Sequence, residues 1–97
     1  MKVPQARVDL RLMDLGAELM LCDDGKKLVH ILNSTARRIW DLCDGTHGVD
    51  EIAAEISAMF PGVAQERVLA DVRAALRDLE AKGVIAWVTQ EVSQPGE

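Results

Sequence analysis

The chain has 97 residues, with 16 acidic and 11 basic side chains and a formal net charge of −5. This length predicts one domain, residues 1–97, with a modest hydrophobic core. The acidic balance argues against a protein that wraps nucleic acid, because phosphate contacts require clustered Lys and Arg. No apolar run approaches the roughly 18–20 residues that span a bilayer, and the N-terminus lacks the apolar segment of a signal peptide. We therefore expect a soluble cytoplasmic protein with no membrane partner.

The first third of the chain alternates apolar and polar residues, as half-buried β-strands do. Residues 1–6 are expected to form a loose lead-in. Gly16 and the Asp24-Gly25 pair are typical of tight turns between strands, with Gly16 at a position of positive φ. This pattern predicts an antiparallel meander of three strands, over residues 7–13, 18–22 and 26–32.

After residue 33 the apolar residues recur every three or four positions, which is the period of an amphipathic helix. Asn33 or Ser34 can begin the first helix by accepting one of its free N–H groups. Trp40 is the largest side chain on the apolar stripe of that helix and is expected near the centre of the core. The second helix is expected to direct Ile52, Ile56, Met59 and Phe60 inward. Three helices are predicted, at about residues 34–43, 49–59 and 64–82.

The last predicted helix ends at Gly83, the residue type best suited to a left-handed cap. Residues 84–88 form a short apolar segment that should pack back on the core. Residues 89–97 read as a polar tail, which we expect to be disordered. The folded core is therefore expected over residues 7–88.

No catalytic or metal-binding pattern is present. The chain lacks a glycine-rich phosphate loop, an H-E-x-x-H motif and a nucleophile elbow. Cys22 and Cys43 do not form a C-x-x-C pair, and together with His30 and His47 they lack zinc-type spacing. We expect buried, reduced thiols. The sequence predicts no enzyme, no cofactor and no metal site.

The third predicted strand is apolar on both faces. In a three-strand meander it lies at an edge, and an edge with free backbone N–H and C=O groups invites another strand. One interpretation is β-augmentation, in which a peptide adds as a fourth strand. The alternatives are an edge covered by the third helix or the tail, or an edge paired in a homodimer. One side of this strand carries Leu28, His30 and Leu32, and the other carries Val29 and Ile31.

Two segments resemble the PqqD family, the small proteins of pyrroloquinoline quinone synthesis. The first is L-N-S-T-A…I-W-D-L-C-D-G-T at residues 32–46, followed by V-D-E-I at 49–52. The second is D-L-E-A-K-G-V-I at residues 78–85. The wider group includes leader-binding proteins of lasso-peptide pathways and other partners in the maturation of ribosomally made, modified peptides. One departure is Gly48, where relatives often place Ser or Thr as a helix cap.

The resemblance implies an α+β, winged-helix-like fold, with a three-stranded antiparallel meander followed by three helices. It implies a non-catalytic peptide chaperone that presents the leader segment of a precursor peptide to a modifying enzyme. In the quinone pathway that enzyme is a radical S-adenosylmethionine maturase. Mapped by position, the peptide-binding residues would be Lys27, Leu28, Val29, His30, Ile31, Leu32, Val68, Asp71, Val72 and Ala75.

The main rival is a winged-helix regulator that binds nucleic acid, since that architecture also combines three helices with a small sheet. Such a protein should present a basic face on its third helix. Here the basic residues of that helix are interleaved with acidic ones, so the helix is locally near neutral. We expect no nucleic-acid partner, and a homodimer through the strand-three edge is the second rival.

Overall fold

The computed structural model describes residues 2–89, which contain five strands and three helices. Strands β2, β3 and β4 form an antiparallel sheet in that order, and β1 and β5 form a second, two-stranded antiparallel sheet. The predicted α+β fold, with a meander followed by three helices, is confirmed. In chain order the elements are β1 (Lys2–Ala6), β2 (Arg11–Leu15), β3 (Glu18–Asp23), β4 (Leu28–Leu32), α1 (Ser34–Asp41), α2 (Val49–Met59), α3 (Gln65–Ala81) and β5 (Ile85–Thr89).

The two ends of the described chain pair with each other. β1 lies antiparallel to β5, with Val3 opposite Val88, and Val3 is fully buried. The prediction of a loose lead-in is therefore wrong. Pro4 disfavours a central strand, but in a two-stranded sheet every strand is an edge that tolerates proline. The predicted tail begins one residue too early, because Thr89 belongs to β5; residues 90–97 lie outside the described residues.

The first predicted strand is misplaced by several residues. β2 begins at Arg11 instead of Arg7, because Arg7 is held by contacts elsewhere, including a backbone hydrogen bond to the carbonyl of Val84. Val8, expected on a buried face, is 93% exposed. All of β2 is exposed, since it is the edge strand opposite β4 and α1 packs on β3 and β4.

The loop between β3 and β4 is longer than predicted. It spans residues 24–27, and Lys27 has a positive φ of 57°. The Asp23 carboxylate accepts the N–H of Lys26 over 3.2 Å and fixes this turn. The third predicted strand therefore begins at Leu28, not at Lys26. Gly16 has a φ of 89°, as predicted for the preceding turn.

The helix ends follow the capping residues closely. Asn33 Oδ1 accepts the N–H of Ala36 over 2.8 Å and begins α1. At the end of α3, Gly83 has a φ of 74°, and the N–H of Val84 donates to the carbonyl of Leu79 over 3.1 Å. This is the Schellman arrangement that a left-handed glycine permits. It returns the chain toward the core as β5.

The core lies between the three helices and the inner face of the three-stranded sheet. Trp40 is buried, as predicted, and its Nε1–H donates to the carbonyl of Val84 over 3.3 Å. Met59 and Phe60, expected to face inward, are 47% and 37% exposed. The predicted end of the helix at Met59 is correct, but the inward orientation is wrong, because both side chains lie where the chain leaves α2 and turns at Pro61. In the described chain, no helix combines the length and apolar character needed to cross a membrane.

Both cysteines are buried free thiols. Burial, with a smaller contribution from nearby carboxylates, raises the pKa of the Cys43 thiol to about 12. Its Sγ donates to the carbonyl of Ile39 over 3.2 Å. Since thiolate is the reactive form of cysteine, Cys43 is a packing residue.

Candidate functional site

Strand β4 has one unpaired edge. The strand order β2-β3-β4 places it at the side of the sheet, with Leu32 opposite Leu19 and Leu28 opposite Asp23. Alternate residues of such a strand direct their N–H and C=O groups away from the neighbour. The prediction that this apolar strand lies at an edge is confirmed. Its outer side therefore offers backbone donors and acceptors to another strand.

Most of β4 is also open to solvent. Leu28, Val29 and Ile31 are 46%, 57% and 53% exposed. No helix, and no described part of the C-terminal segment, covers those side chains. The alternative of a covered edge therefore does not hold for the described residues. Lys27 lies in the turn before the strand, so it can contact a bound peptide only at one end of this edge.

The two faces of β4 differ. Leu32 points inward and is 1% exposed, and His30 is half-buried on the same side, opposite Leu21. Val29 and Ile31 point outward, where Ile31 lines up with Met20 across β3. A strand added beside β4 would direct alternate side chains toward the helices and toward this outer apolar face.

His30 carries an unusual polar atom. Its Nε2 atom is buried and has no hydrogen-bond partner among the described residues. Such a group typically destabilises a fold by about 1–3 kcal/mol. The unpaired Nε2 atom therefore destabilises this otherwise apolar edge strand. A Leu side chain at position 30 would avoid that cost.

A pocket opens where β4 ends and α1 begins. Its volume is about 420 Å³, within the range of roughly 300–1,000 Å³ of sites that hold small ligands. All four predicted residues of α3 line it, so the structure brings them together. The pocket is lined by Asn33, Thr35, Ala36, Ile39, Ile56, Phe60, Val63, Val68, Asp71, Val72, Ala75 and Asp78.

The four α3 residues contribute unequally to the pocket. Val68 and Val72 are 4% and 1% exposed, so they belong to the core and present only a small surface at the pocket floor. Asp71 is exposed and Ala75 is half-buried. A ligand would therefore contact the side of α3 mainly through Asp71 and Ala75.

The pocket and the β4 edge are adjacent parts of one candidate site. No residue of β4 lines the pocket, but Asn33 lines it and directly follows Leu32. Sequence reasoning missed the contribution of the α2–α3 connection, where Phe60 and Val63 form an apolar lip. The Pro61-Gly62 pair correctly predicts the end of the helix at Met59, and the turn it indicates was the signal that Phe60 does not face inward.

Arg37 fixes the sheet relative to α1. Its guanidinium donates to both carboxylate oxygens of Asp14 over 3.0 Å and to the carbonyls of Gly16 and Glu18 over 2.8 and 3.0 Å. The hydrogen bond from Arg37 lowers the pKa of Asp14 to about 2. This bidentate contact holds the β2–β3 turn against the helix that follows β4. The β4 edge is thus presented on a fixed sheet.

Comparison with known proteins identifies relatives of this fold. The family model described as Coenzyme PQQ synthesis protein D (PqqD) matches residues 18–85, more than two thirds of the chain. The solved structure of TbiB1 in complex with the TbiA(beta) leader peptide has 22% identity and a TM-score of 0.75, over 89% of this chain and 99% of that one. The structure of the heterocyclase TruD has 17% identity and a TM-score of 0.63, over 96% of this chain and 12% of that one. No curated protein sequence matches the chain.

Proposed function

The chain belongs to the PqqD family, and from that membership we propose that it binds the leader segment of a ribosomally made precursor peptide. In this proposal it is a non-catalytic peptide chaperone that presents the precursor to a separate modifying enzyme. The observation that carries the proposal is the exposed, unpaired edge of β4 beside an apolar pocket. The TbiB1 structure, which shares the fold and holds a leader peptide, supports it.

The leader segment would bind in extended form as a fourth strand next to β4. Backbone hydrogen bonds to the free edge would supply affinity, and the pocket would supply sequence choice. Exposed Val29 and Ile31 would contact alternate side chains of the peptide on the outer face. This binding mode uses the residues mapped from the family, with Lys27 at the margin and Val68 and Val72 in the pocket floor.

Presentation would work through local concentration. A peptide held at one end by a short flexible connection reaches an effective concentration on the order of millimolar at a neighbouring site. A weakly bound modifiable segment would then be held near the enzyme. The similarity to a heterocyclase, over a small part of its length, supports placing this fold beside a modifying enzyme.

The partner enzyme depends on the pathway. In pyrroloquinoline quinone synthesis it would be a radical S-adenosylmethionine maturase, and in a lasso-peptide pathway it would be another maturation enzyme. The nucleic-acid regulator is the weaker candidate. The four basic residues of α3 and its C-cap are matched by four acidic ones, so this surface has no net positive charge to attract phosphate.

An NMR titration tests the proposal. Synthetic peptides of about 20 residues would be copied from short peptide genes beside the gene for this chain and added to the 15N-labelled protein. Amide shifts should cluster on residues 28–32 and on the pocket side of α3. A matched peptide with the same composition in scrambled order is the control. Saturable shifts confined to α2 and β5 would contradict binding at the β4 edge.

A further inference from the structure

The polar residues that α3 contributes to the pocket are acidic, whereas Asn33 and Thr35, near the start of α1, are neutral. Asp71 and Asp78 both line it from α3, and none of the lining residues is Lys or Arg. The two carboxylates are seven residues apart, which is two helical turns or about 10.5 Å along the axis. They therefore form a short row along one wall, above a floor of aliphatic side chains.

Neither carboxylate has all of its hydrogen-bond acceptor sites occupied by the basic residue beside it. Asp71 lies 3.7 Å from Arg67, and both side chains are more than 70% exposed. That distance is too long for a hydrogen bond, and exposed pairs of this kind contribute little. Asp78 contacts Lys82 over 2.8 Å through one oxygen. Because a carboxylate can accept several hydrogen bonds, both groups retain capacity for a ligand.

The apolar floor and the acidic wall can be reached by one extended peptide. Residues i and i+2 of a strand point to the same side and lie about 6.8 Å apart. If one side chain enters the pocket between Ile39, Ile56 and Phe60, the side chain two positions away also faces the helices. A Lys or Arg there is long enough to approach the carboxylate of Asp71.

We infer that the bound segment carries a basic residue two positions from an apolar anchor, and that this residue pairs with Asp71. A more extended side chain at the same position would reach Asp78. This inference rests on the proposed function and assigns the chemistry of its ligand. The net charge of −5 favours such a segment over an acidic one and speeds its approach at low salt. Specificity thus combines an apolar pocket with an acidic wall.

A displayed peptide library tests the inference without knowledge of the natural ligand. The probe is a randomised library of twelve-residue peptides, selected separately on three forms of the full chain. The forms are the wild type, the Asp71→Asn/Asp78→Asn variant and the control Glu66→Gln/Glu80→Gln. The control removes two negative charges from α3 residues that do not line the pocket. Thermal melts establish that all three forms are folded.

Peptides selected on the wild type and on the control should be enriched in Lys or Arg two positions from an apolar residue. The Asp71→Asn/Asp78→Asn variant should keep the apolar preference and lose the basic one. For one selected peptide, each Asp→Asn change should weaken binding about two- to fivefold at low salt, with a smaller effect at high salt. An apolar preference without a basic one on the wild type would overturn the inference and leave the proposed function intact. A library without any binder would overturn both.

Discussion

Arg7 and Asp23 join two distant parts of the fold: a guanidinium nitrogen of Arg7 donates to Asp23 Oδ2 over 2.6 Å. The same nitrogen lies 3.2 Å from the carbonyl of Gly83. One side chain therefore connects the end of β3 to the end of α3. Asp23 is 4% exposed, and the hydrogen bond from Arg7, against the opposing effect of burial, lowers the pKa of its carboxyl group.

We expect Arg7→Ala to lower the melting temperature at neutral pH, because it leaves a buried carboxylate without its cation. The ordinary pKa of Asp is 3.8 and Arg7 lowers it, so the stabilisation is present above pH 3.8 and is lost as the pH falls through the folded value. The difference in melting temperature between the variant and the wild type should therefore become smaller in acid. Arg11→Ala is the control, because it removes the exposed pair with Asp24. Equal effects of the two variants would contradict this account.

Trp40→Ala should unfold the domain or nearly so. Loss of a buried aromatic side chain typically destabilises a protein by about 3–5 kcal/mol. The total free energy of unfolding of a domain is only about 5–15 kcal/mol. The variant also removes the hydrogen bond to the carbonyl of Val84. Trp87→Ala, at a half-buried position on β5, should have a smaller effect in the same thermal melt. An unchanged midpoint for Trp40→Ala would refute its place in the core.

Replacement of His30 by Leu should leave the melting temperature unchanged or raise it. The substitution removes the buried Nε2 that lacks a partner, and loss of such an atom recovers part of a penalty of about 1–3 kcal/mol. His30→Gln, which keeps polar atoms at the position, is the matched variant and should be no more stable than the wild type. A fall in the midpoint for His30→Leu alone would show that Nε2 has a partner in solution.

Proline substitutions test the edge directly. Val29 and His30 are neighbours, so the N–H of one faces β3 and the N–H of the other faces the open side. Proline removes that N–H. We expect one of Val29→Pro and His30→Pro to lower the melting temperature, and the other to stay folded with weaker leader-peptide binding. Both quantities would be measured for both variants. Unchanged affinity in a folded variant at each position would rule out this edge as the binding site.

The Asp44–His47 contact predicts a defined pH dependence. The hydrogen bond from the Thr46 hydroxyl, with a further one from His47, lowers the pKa of Asp44 to about 2. The hydrogen bond to Asp44 raises the pKa of His47 above 6.5. The stability that Asp44 contributes is present above pH 3.8 and is lost as the pH falls toward 2. The stability that His47 contributes is lost as the pH rises through the pKa of His47 in the folded protein. Asp44→Asn should therefore destabilise most between about pH 4 and 6.5, as melts across that range would show.

Local patterns predicted most of the helices, the caps at Asn33 and Gly83 and the edge position of β4. These features depend on residues close together in sequence. The β1–β5 pairing was missed because it joins the two ends of the described chain, and nothing in residues 2–6 alone specifies a partner. The Arg7 contacts displaced the first strand of the meander for the same reason. The pocket draws on four separate segments, so its lip at Phe60 and Val63 became visible only in the structure.

The pairing of β1 with β5 also determines where additional chain would leave the domain. Lys2 lies opposite Thr89, and Cα atoms that face each other across antiparallel strands are about 4.5–5.5 Å apart. A segment attached before β1 and another attached after β5 would therefore emerge side by side. A domain with adjacent ends can be inserted into a longer polypeptide without separating its two sheets. The same architecture is thus compatible with a free-standing protein and with a module built into a larger enzyme.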